Sequence, residues 1–341
     1  MAKKIAIIRG DGTGPELIDS ALQVLEATEV KVDLTFCDAG YEWWEMNGGD
    51  TLIPPDSWKI LEQSDACLKG PTITPTVPGT PRSVAVSIRQ KFELFANVRP
   101  IKTMSDRGNG KAVDFLCVRE GTEGMYSGIG YSIDNNTAIS VRMTTRRACE
   151  RVSELAFRLA KERSWKSVVA IHKANILRET DSLFLEVVKG VSQRYPGIEL
   201  KEYFVDNIAQ QLVKNPERFN HNVLLSTNLF MDIISEEASG LVGSIGNIYS
   251  ANFGDQYAMF EPAHGSSPKY KGMNKVNPTA TILSVAWMLN HLGETTSGNV
   301  IFRATEAIIR AGKDVTYDLG GSVGTREMAT AISRQIKTIL N

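Results

Sequence analysis

Eight consecutive residues, Arg119 to Tyr126, carry a fixed cation, two carboxylates, a hydroxyl, two glycines and a phenol, directly after the apolar run Ala112 to Val118. A guanidinium clamps carboxylates, and a phenol whose pKa is lowered by neighbouring cations can pass a proton to a carbanion-like carbon. The plainer alternative is a strand ending in a polar hairpin, with Arg119 paired to Glu120 or Glu123. A second chemical group closes another apolar run, where Ser167 to Ile171 ends in His172-Lys173-Ala174-Asn175. A lysine at the carboxyl end of a buried strand lies where α/β proteins place ligands. Asp232 and Glu236 are four residues apart and share one face if helical. With Asp206, at the end of an expected strand, they make three hard oxygen donors suited to Mg²⁺ or Mn²⁺ and poor for zinc. In Phe260 to Gly272, small residues beside His264, Lys269 and Tyr270 make a cradle for phosphate and ribose.

These residues need elements to hold them. Lys4 to Ile8 reads as a strand, followed by the turn Gly10-Asp11-Gly12-Thr13-Gly14-Pro15 and a helix with apolar residues at Leu17, Ala21, Leu22 and Leu25. A dinucleotide fingerprint would need its third glycine where Pro15 stands, so the turn is not one; Pro15 fits the first turn of the helix instead. Val30 to Phe36 and Ala66 to Leu68 are expected strands, and Ser57 to Gln63 a short helix. Lys69 to Pro81 is too rich in proline for a regular element and must be an ordered loop or a lid. Helical spacing resumes over Arg82 to Leu94. The polar segment Thr103 to Gly110 reads as a crossing into another domain, and the alternating stretch Ser132 to Met143 as a strand arm long enough to dimerise. Helices are expected over Arg147 to Arg163, Asp181 to Arg194, Thr279 to Gly293, Asn299 to Arg310 and Thr325 to Ile339. Glu202 to Asp206 and Val223 to Leu225 are expected strands, and Gly240 to Gly254 a glycine-rich run.

The totals exclude several classes of function. With 341 residues there is length for one or two domains and a large core. Basic and acidic residues number 38 and 39, so no global field draws nucleic acid or an anionic membrane, and any anion must be held by a local cluster. Cys37, Cys67, Cys117 and Cys149 are widely spaced, which suits buried thiols rather than a disulfide frame or zinc site. There is no signal-like N-terminus and no apolar run of about 18 residues, so a cytoplasmic location is expected.

Taken together, GDGTGPE, FANVRP, REGTEGMYSG, HKAN, NLFMDIISE and EPAHGSSPKY, in that order from Ile5 to the last helix, resemble the β-decarboxylating dehydrogenases, the family of isocitrate, isopropylmalate, homoisocitrate and tartrate dehydrogenases. The resemblance implies a discontinuous two-domain α/β fold. Residues 1–100 and 255–341 would form a large dinucleotide-binding domain, and 101–254 a small domain with a dimer arm at about 103–143. It also implies a homodimer with shared active sites, in which Lys173 and Asp206 reach the site of the partner. Lys173 would be the base that takes the hydroxyl proton and Tyr126 the acid that protonates carbon. Arg89, Arg99 and Arg119 would hold the malate-like carboxylates, and Asp206, Asp232 and Glu236 the metal. Glu261, His264, Gly265, Ser266 and Asn277 would line the dinucleotide site.

The specificity residues point the same way with departures. Lys69 in KGPTITP, and Ser83 six residues before Arg89, match the isocitrate enzymes, with Thr74 of the same run also expected at the substrate, but Ala85 stands where those enzymes carry asparagine, which leaves homoisocitrate as the alternative and isopropylmalate third. Lys269 and Tyr270 replace the acidic residue of NAD-using members, and Tyr317 matches a further phosphate-contacting tyrosine, so NADP is the expected cofactor. The arginine expected four residues after Tyr317 is Gly321, which leaves the phosphate site one cation short. Met231 replaces a glycine and Glu236 an aspartate beside the metal. A catalytically silent regulatory relative is the non-enzyme alternative, and the retained lysine, tyrosine and aspartates speak against it.

Overall fold

The computed structural model describes residues 2–74, 80–104 and 112–341. Residues 75–79 of the proline-rich loop and 105–111 of the expected crossing, the latter inside the expected arm at 103–143, lie outside the described residues. The strands are β1 (Lys3–Ile8), β2 (Val32–Phe36), β3 (Ala66–Lys69), β4 (Ala96–Lys102), β5 (Asp114–Glu120), β6 (Gly130–Ser132), β7 (Ala138–Ser140), β8 (Ser167–His172), β9 (Glu199–Phe204), β10 (Asn222–Ser226), β11 (Tyr249–Phe253) and β12 (Ala258–Pro262). The helices are α1 (Gly14–Glu26), α2 (Tyr41–Asn47), α3 (Pro55–Glu62), α4 (Val84–Lys91), α5 (Arg146–Glu162), α6 (Arg178–Ser192), α7 (Val205–Lys214), α8 (Asn228–Leu241), α9 (Thr279–His291), α10 (Thr295–Ala311) and α11 (Thr325–Leu340).

Among the described residues, ten strands form one sheet in the order β2-β1-β3-β12-β11-β4-β5-β10-β8-β9. Both flanks are parallel, while the central pairs β12-β11, β11-β4 and β4-β5 are antiparallel. Parallel neighbours need crossovers, and helices supply them on both faces. The strands of such a sheet are therefore apolar on both sides: in β1, Ile5 and Ile7 join one cluster with α1, α9, α10 and α11, while Ala6 and Ile8 join another with α3 and α4. The other half repeats this plan. Val168 and Ala170 of β8 pack with α5 and α6, and Val169 and Ile171 with α7 and α8.

The fold is the expected mixed α/β one, with local differences. Asp206 does not end a strand: β9 stops at Phe204, and Asp206 sits in the first turn of α7, where the helix dipole favours a carboxylate. The glycine-rich run contains strand β11, whose middle residues are buried. Arg119 and Glu120 belong to β5 itself rather than to the turn after it. All four cysteines are free and buried. Strands β6 and β7 pair only with each other, and Ile129, Tyr131, Ile133, Ile139, Val141 and Met143 along this hairpin are all exposed. Among the described residues, no helix is long and apolar enough to cross a membrane.

Candidate active site

The antiparallel centre of the sheet lines up the cations. Register places Asn97 of β4 opposite both Arg119 of β5 and Asn252 of β11, so their side chains share one face of the sheet. Each of the three arginines is buried and each rests on a neutral amide oxygen. Nε of Arg89 donates to Oδ1 of Asn252 at 2.8 Å, and Nε of Arg99 donates to Oδ1 of Asn97 at 2.9 Å. Nε and Nη2 of Arg119 donate to Oδ1 of Asn228 at 3.0 and 2.7 Å. Amides fix the direction of a guanidinium without cancelling its charge. Asn97, Asn228 and Asn252 were not singled out from sequence. Asn97 inside FANVRP and Asn228 at the head of NLFMDIISE lay within recognised motifs but were given no role, and Asn252 lay in the glycine-rich run.

Glu261, expected at the dinucleotide, binds two of the residues expected at the substrate. Its carboxylate accepts from Lys69 Nζ at 2.8 Å and Arg89 Nη2 at 3.1 Å. Burial acts to raise this carboxyl, but Lys69, Arg89 and hydrogen bonds from Lys69 and Asn252 outweigh it and hold it at about 2. Ser83 is the N-cap of α4, its Oγ accepting from the backbone N–H of Val86 at 3.3 Å. Capping uses a lone pair and leaves the hydroxyl hydrogen to donate outward. Thr74 is exposed, next to the undescribed residues 75–79.

Tyr126 follows β5 in a short helical turn, and its ring lies 4.8 Å from the Arg119 guanidinium. The hairpin pairing of Arg119 with Glu120 or Glu123 is not formed. Arg119 pairs with Asp232 instead, while Glu120 accepts from Thr122 and the Glu123 N–H, and Glu123 from Thr145. Tyr126 donates its hydroxyl hydrogen to Asp232 Oδ2. Burial first, and then this bond to a carboxylate, push the phenol up rather than down, against the pull of Arg119. The neighbouring cations act on Asp232: burial works to raise it, yet Arg119, the Tyr126 hydrogen bond, Arg99 and Arg89 together bring it down.

Asp232 and Glu236 lie one turn apart on α8 and both accept from Arg99, at 3.2 and 2.8 Å. Lys173 and Asp206 pair with each other. Among the described residues, no three His, Cys, Asp or Glu side chains are placed to hold a metal ion. The donors present are hard oxygens that suit a divalent cation, and one chain brings two of the expected three together. Lys173 is held by its backbone: its N–H donates to Oδ2 of the fully buried Asp181 at 2.6 Å, whose Oδ1 accepts from Arg142 at 2.6 Å.

A cleft of about 170 Å³ opens beside the glycine turn, lined by Thr13, Ser244, Gly246, His264, Tyr270 and Tyr317 among others. Its wall is built by close backbone approach. Gly12 has φ +60°, and a Cβ there would sit 2.4 Å from the Ser266 carbonyl oxygen, which also accepts from the N–H and hydroxyl of Thr13. Asp11 ties the turn down, accepting from the N–H groups of Tyr41, Glu42 and Ile73 at 2.8–3.0 Å. Nε2 of His264 is buried with no partner, and burial keeps this ring neutral by lowering its pKa. A buried orphan donor or acceptor beside such a wall fits a bound polar ring. Asn277 is buried and reaches Asp318 and Asn247, Gly265 has open space before it, and Lys269 and Tyr270 are at the outer rim.

Residues 4–332 match the isocitrate/isopropylmalate dehydrogenase family. A 3-isopropylmalate/3-methylmalate dehydrogenase of Methanocaldococcus jannaschii is 37% identical, over 98% of this chain and 99% of that protein. An isocitrate/homoisocitrate dehydrogenase of Thermus thermophilus is 38% identical, over 99% of this chain and 100% of its own length. The crystal structure of isocitrate dehydrogenase from Methylococcus capsulatus superposes with a TM-score of 0.94 at 40% identity, covering 98% of this chain and 99% of that one. With a family match over nearly its whole length, and a sheet centre and helix α4 that bring the expected arginines onto buried partners, the chain belongs to the isocitrate/isopropylmalate dehydrogenase family, the oxidative decarboxylating dehydrogenases that work with a nicotinamide cofactor and a divalent metal.

Proposed function

We propose that this chain oxidises and decarboxylates isocitrate to 2-oxoglutarate and CO₂ with reduction of NADP, as a homodimer whose active sites each draw on both copies. The charge of the central cluster carries this reading. Lys69, Arg89, Arg99 and Arg119 face Glu261, Asp232 and Glu236, so one positive charge is left over. A divalent cation raises the excess to three, and Lys173 and Asp206 of the second copy cancel each other; three is the charge of a tricarboxylate, whereas an alkylmalate would leave one positive charge unmatched. Homoisocitrate has the same charge and is the second reading. It is favoured by Ala85, a smaller side chain than asparagine on α4 between Ser83 and Arg89, and by the name of the Thermus relative.

Arg89, Arg99 and Arg119 orient the carboxylates by charge-assisted hydrogen bonds in a buried setting. Lys173 of a second copy removes the proton of the substrate hydroxyl as hydride leaves carbon. A bound divalent cation would supply Lewis acidity at that hydroxyl and at the oxygen that gains charge as CO₂ departs, and a bound nicotinamide would supply the hydride acceptor. Tyr126, kept protonated by burial and Asp232, then gives its proton to carbon. Hard-oxygen Asp232 and Glu236, with Asp206 of the second copy, would hold the cation. The division of the chain at about residues 100 and 255 remains part of this proposal, with the cleft between the two halves closing on substrate. The test is a matrix of isocitrate, homoisocitrate, isopropylmalate and tartrate against NADP and NAD with Mg²⁺ or Mn²⁺, followed by the absorbance of reduced nicotinamide. The highest kcat/KM is expected for isocitrate with NADP; isopropylmalate with NAD as the best pair would overturn the reading.

A further inference from the structure

At the outer rim of the dinucleotide cleft the rings of Tyr270 and Tyr317 lie 6.5 Å apart at 55°. Lys269 Nζ sits 4.8 Å from the centroid of Tyr270. A second ammonium lies against both rings: Lys275 Nζ is 5.2 Å from Tyr270 and 4.7 Å from Tyr317. Among the described residues neither lysine forms an ion pair with a carboxylate. Two exposed ammonium groups thus converge on one pair of phenols, with no anion of the protein to answer them.

The loop that carries Lys275 is fixed on both sides. Asn274, with φ +49°, accepts from the backbone N–H groups of Thr325 and Arg326 and donates to Glu327 at 2.8 Å. The carbonyl of Val276 accepts from Thr325 Oγ1 at 2.6 Å, and Asn277 is buried. Lys275 therefore projects from anchored backbone, although its side chain is at the surface. The cleft's carboxylate, Asp318, is tied by Ser244 Oγ at 2.5 Å, Thr316 Oγ1 at 2.6 Å and Asn277 Nδ2 at 2.9 Å.

A phosphate monoester carries about −1.5 to −2 charges near neutrality, so one lysine answers only part of it. Position 321 offers no help. A Cβ on Gly321 would lie 1.9 Å from the carbonyl oxygen of Val315 and 2.7 Å from its carbon, backbone atoms that cannot step aside. The loop is pinned in that place by Gly321 N–H to the Thr316 carbonyl at 3.0 Å and Val323 N–H to the Val315 carbonyl at 3.3 Å. No side chain, cationic or otherwise, fits at 321 without moving the loop.

We propose that Lys275 is a specificity-determining residue for the cofactor, supplying with Lys269 the second positive charge around a 2′-phosphate on the adenosine ribose, in a chain whose Gly321 cannot carry one. This rests on the NADP reading above. The test uses the full-length dimer without substrate and measures dissociation constants of NADP, NAD and 2′,5′-ADP by calorimetry for wild type, Lys275→Met and Lys275→Arg. Methionine keeps an unbranched stem over the rings and removes the charge. The expected result is an NADP and 2′,5′-ADP dissociation constant about tenfold higher in Lys275→Met, with NAD within about twofold of wild type, a shallower salt dependence for NADP alone, and recovery in Lys275→Arg. An equal loss for NADP and NAD, or no loss for either in a chain of unchanged melting temperature, overturns the role of Lys275. A wild-type protein that binds NAD as tightly as NADP instead overturns the NADP reading, whatever the variants do.

Discussion

Oδ1 of Asn228 accepts both Nε and Nη2 of Arg119, at 3.0 and 2.7 Å, while Nδ2 of the same amide is buried without a partner. This amide aims the arginine without adding to the negative charge that Asp232 already sets against it. Asn228 also opens α8, where a negative charge is stabilising by about 0.3–1 kcal/mol. Asn228→Asp should consequently fold as well as wild type or better, because it removes an orphan donor and adds charge at a favourable helix end. It should nevertheless raise substrate KM by about 10- to 100-fold by cancelling the clamp. Thermal melting and steady-state kinetics check the two halves together, and an unchanged KM would show that the Arg119 charge is not used on substrate.

Tyr126→Phe keeps the ring that stacks on Arg119 and removes only the hydroxyl held by Asp232. Hydride transfer should continue while protonation of carbon slows, with overall turnover down by about 10²- to 10⁴-fold. Lys173→Met should lose hydride transfer itself, with nucleotide binding kept. Pre-steady-state formation of reduced nicotinamide, compared with uptake of solvent deuterium into product, separates the two steps. Near-normal kcat in both variants would remove these assignments.

The Glu261 carboxyl sits at about 2 in the fold against an ordinary value of 4.5. A depressed carboxyl stabilises the folded state above its unfolded value, and that contribution disappears as pH falls toward the folded one. Wild type should therefore exceed Glu261→Gln in stability by about 3 kcal/mol above about pH 5, and the gap should close between about pH 4.5 and about pH 2. Urea unfolding across that range measures it. A gap that stays constant down to about pH 3 would mean that the ion pairs to Lys69 and Arg89 contribute nothing through charge.

Sequence patterns revealed what has a period or a turn. β8 and the glycine turn were legible because a both-faces-buried strand is continuously apolar, and because Pro15 fits only the first turn of a helix. Asp206 was misplaced onto a strand because β9 runs straight into α7 with no glycine or proline between them. The orienting role of Asn97, Asn228 and Asn252 was not legible, although the first two lie inside recognised motifs, because an asparagine has no spacing rule; the sheet register is what sets Asn252 beside Asn97. Tyr126 was legible as a proton donor, but not the direction of its pKa, since the carboxylate that raises it lies 106 residues further along the chain. Short α2 hides between Gly40 and Gly48 and buries none of its residues, so no apolar stripe announces it.

The central proposal is that the active site is divided between two copies; in the single chain Tyr126 bonds to Asp232, and Lys173 pairs with Asp206. Co-expression of Lys173→Met and Tyr126→Phe chains tests it. In a mixed dimer one site would receive both intact residues and the other both lesions, so a random mixture should recover about a quarter of wild-type turnover although each variant alone is nearly inactive. A mixture no more active than the two variants measured separately would place Lys173 and Tyr126 in the same chain's site and contradict the account.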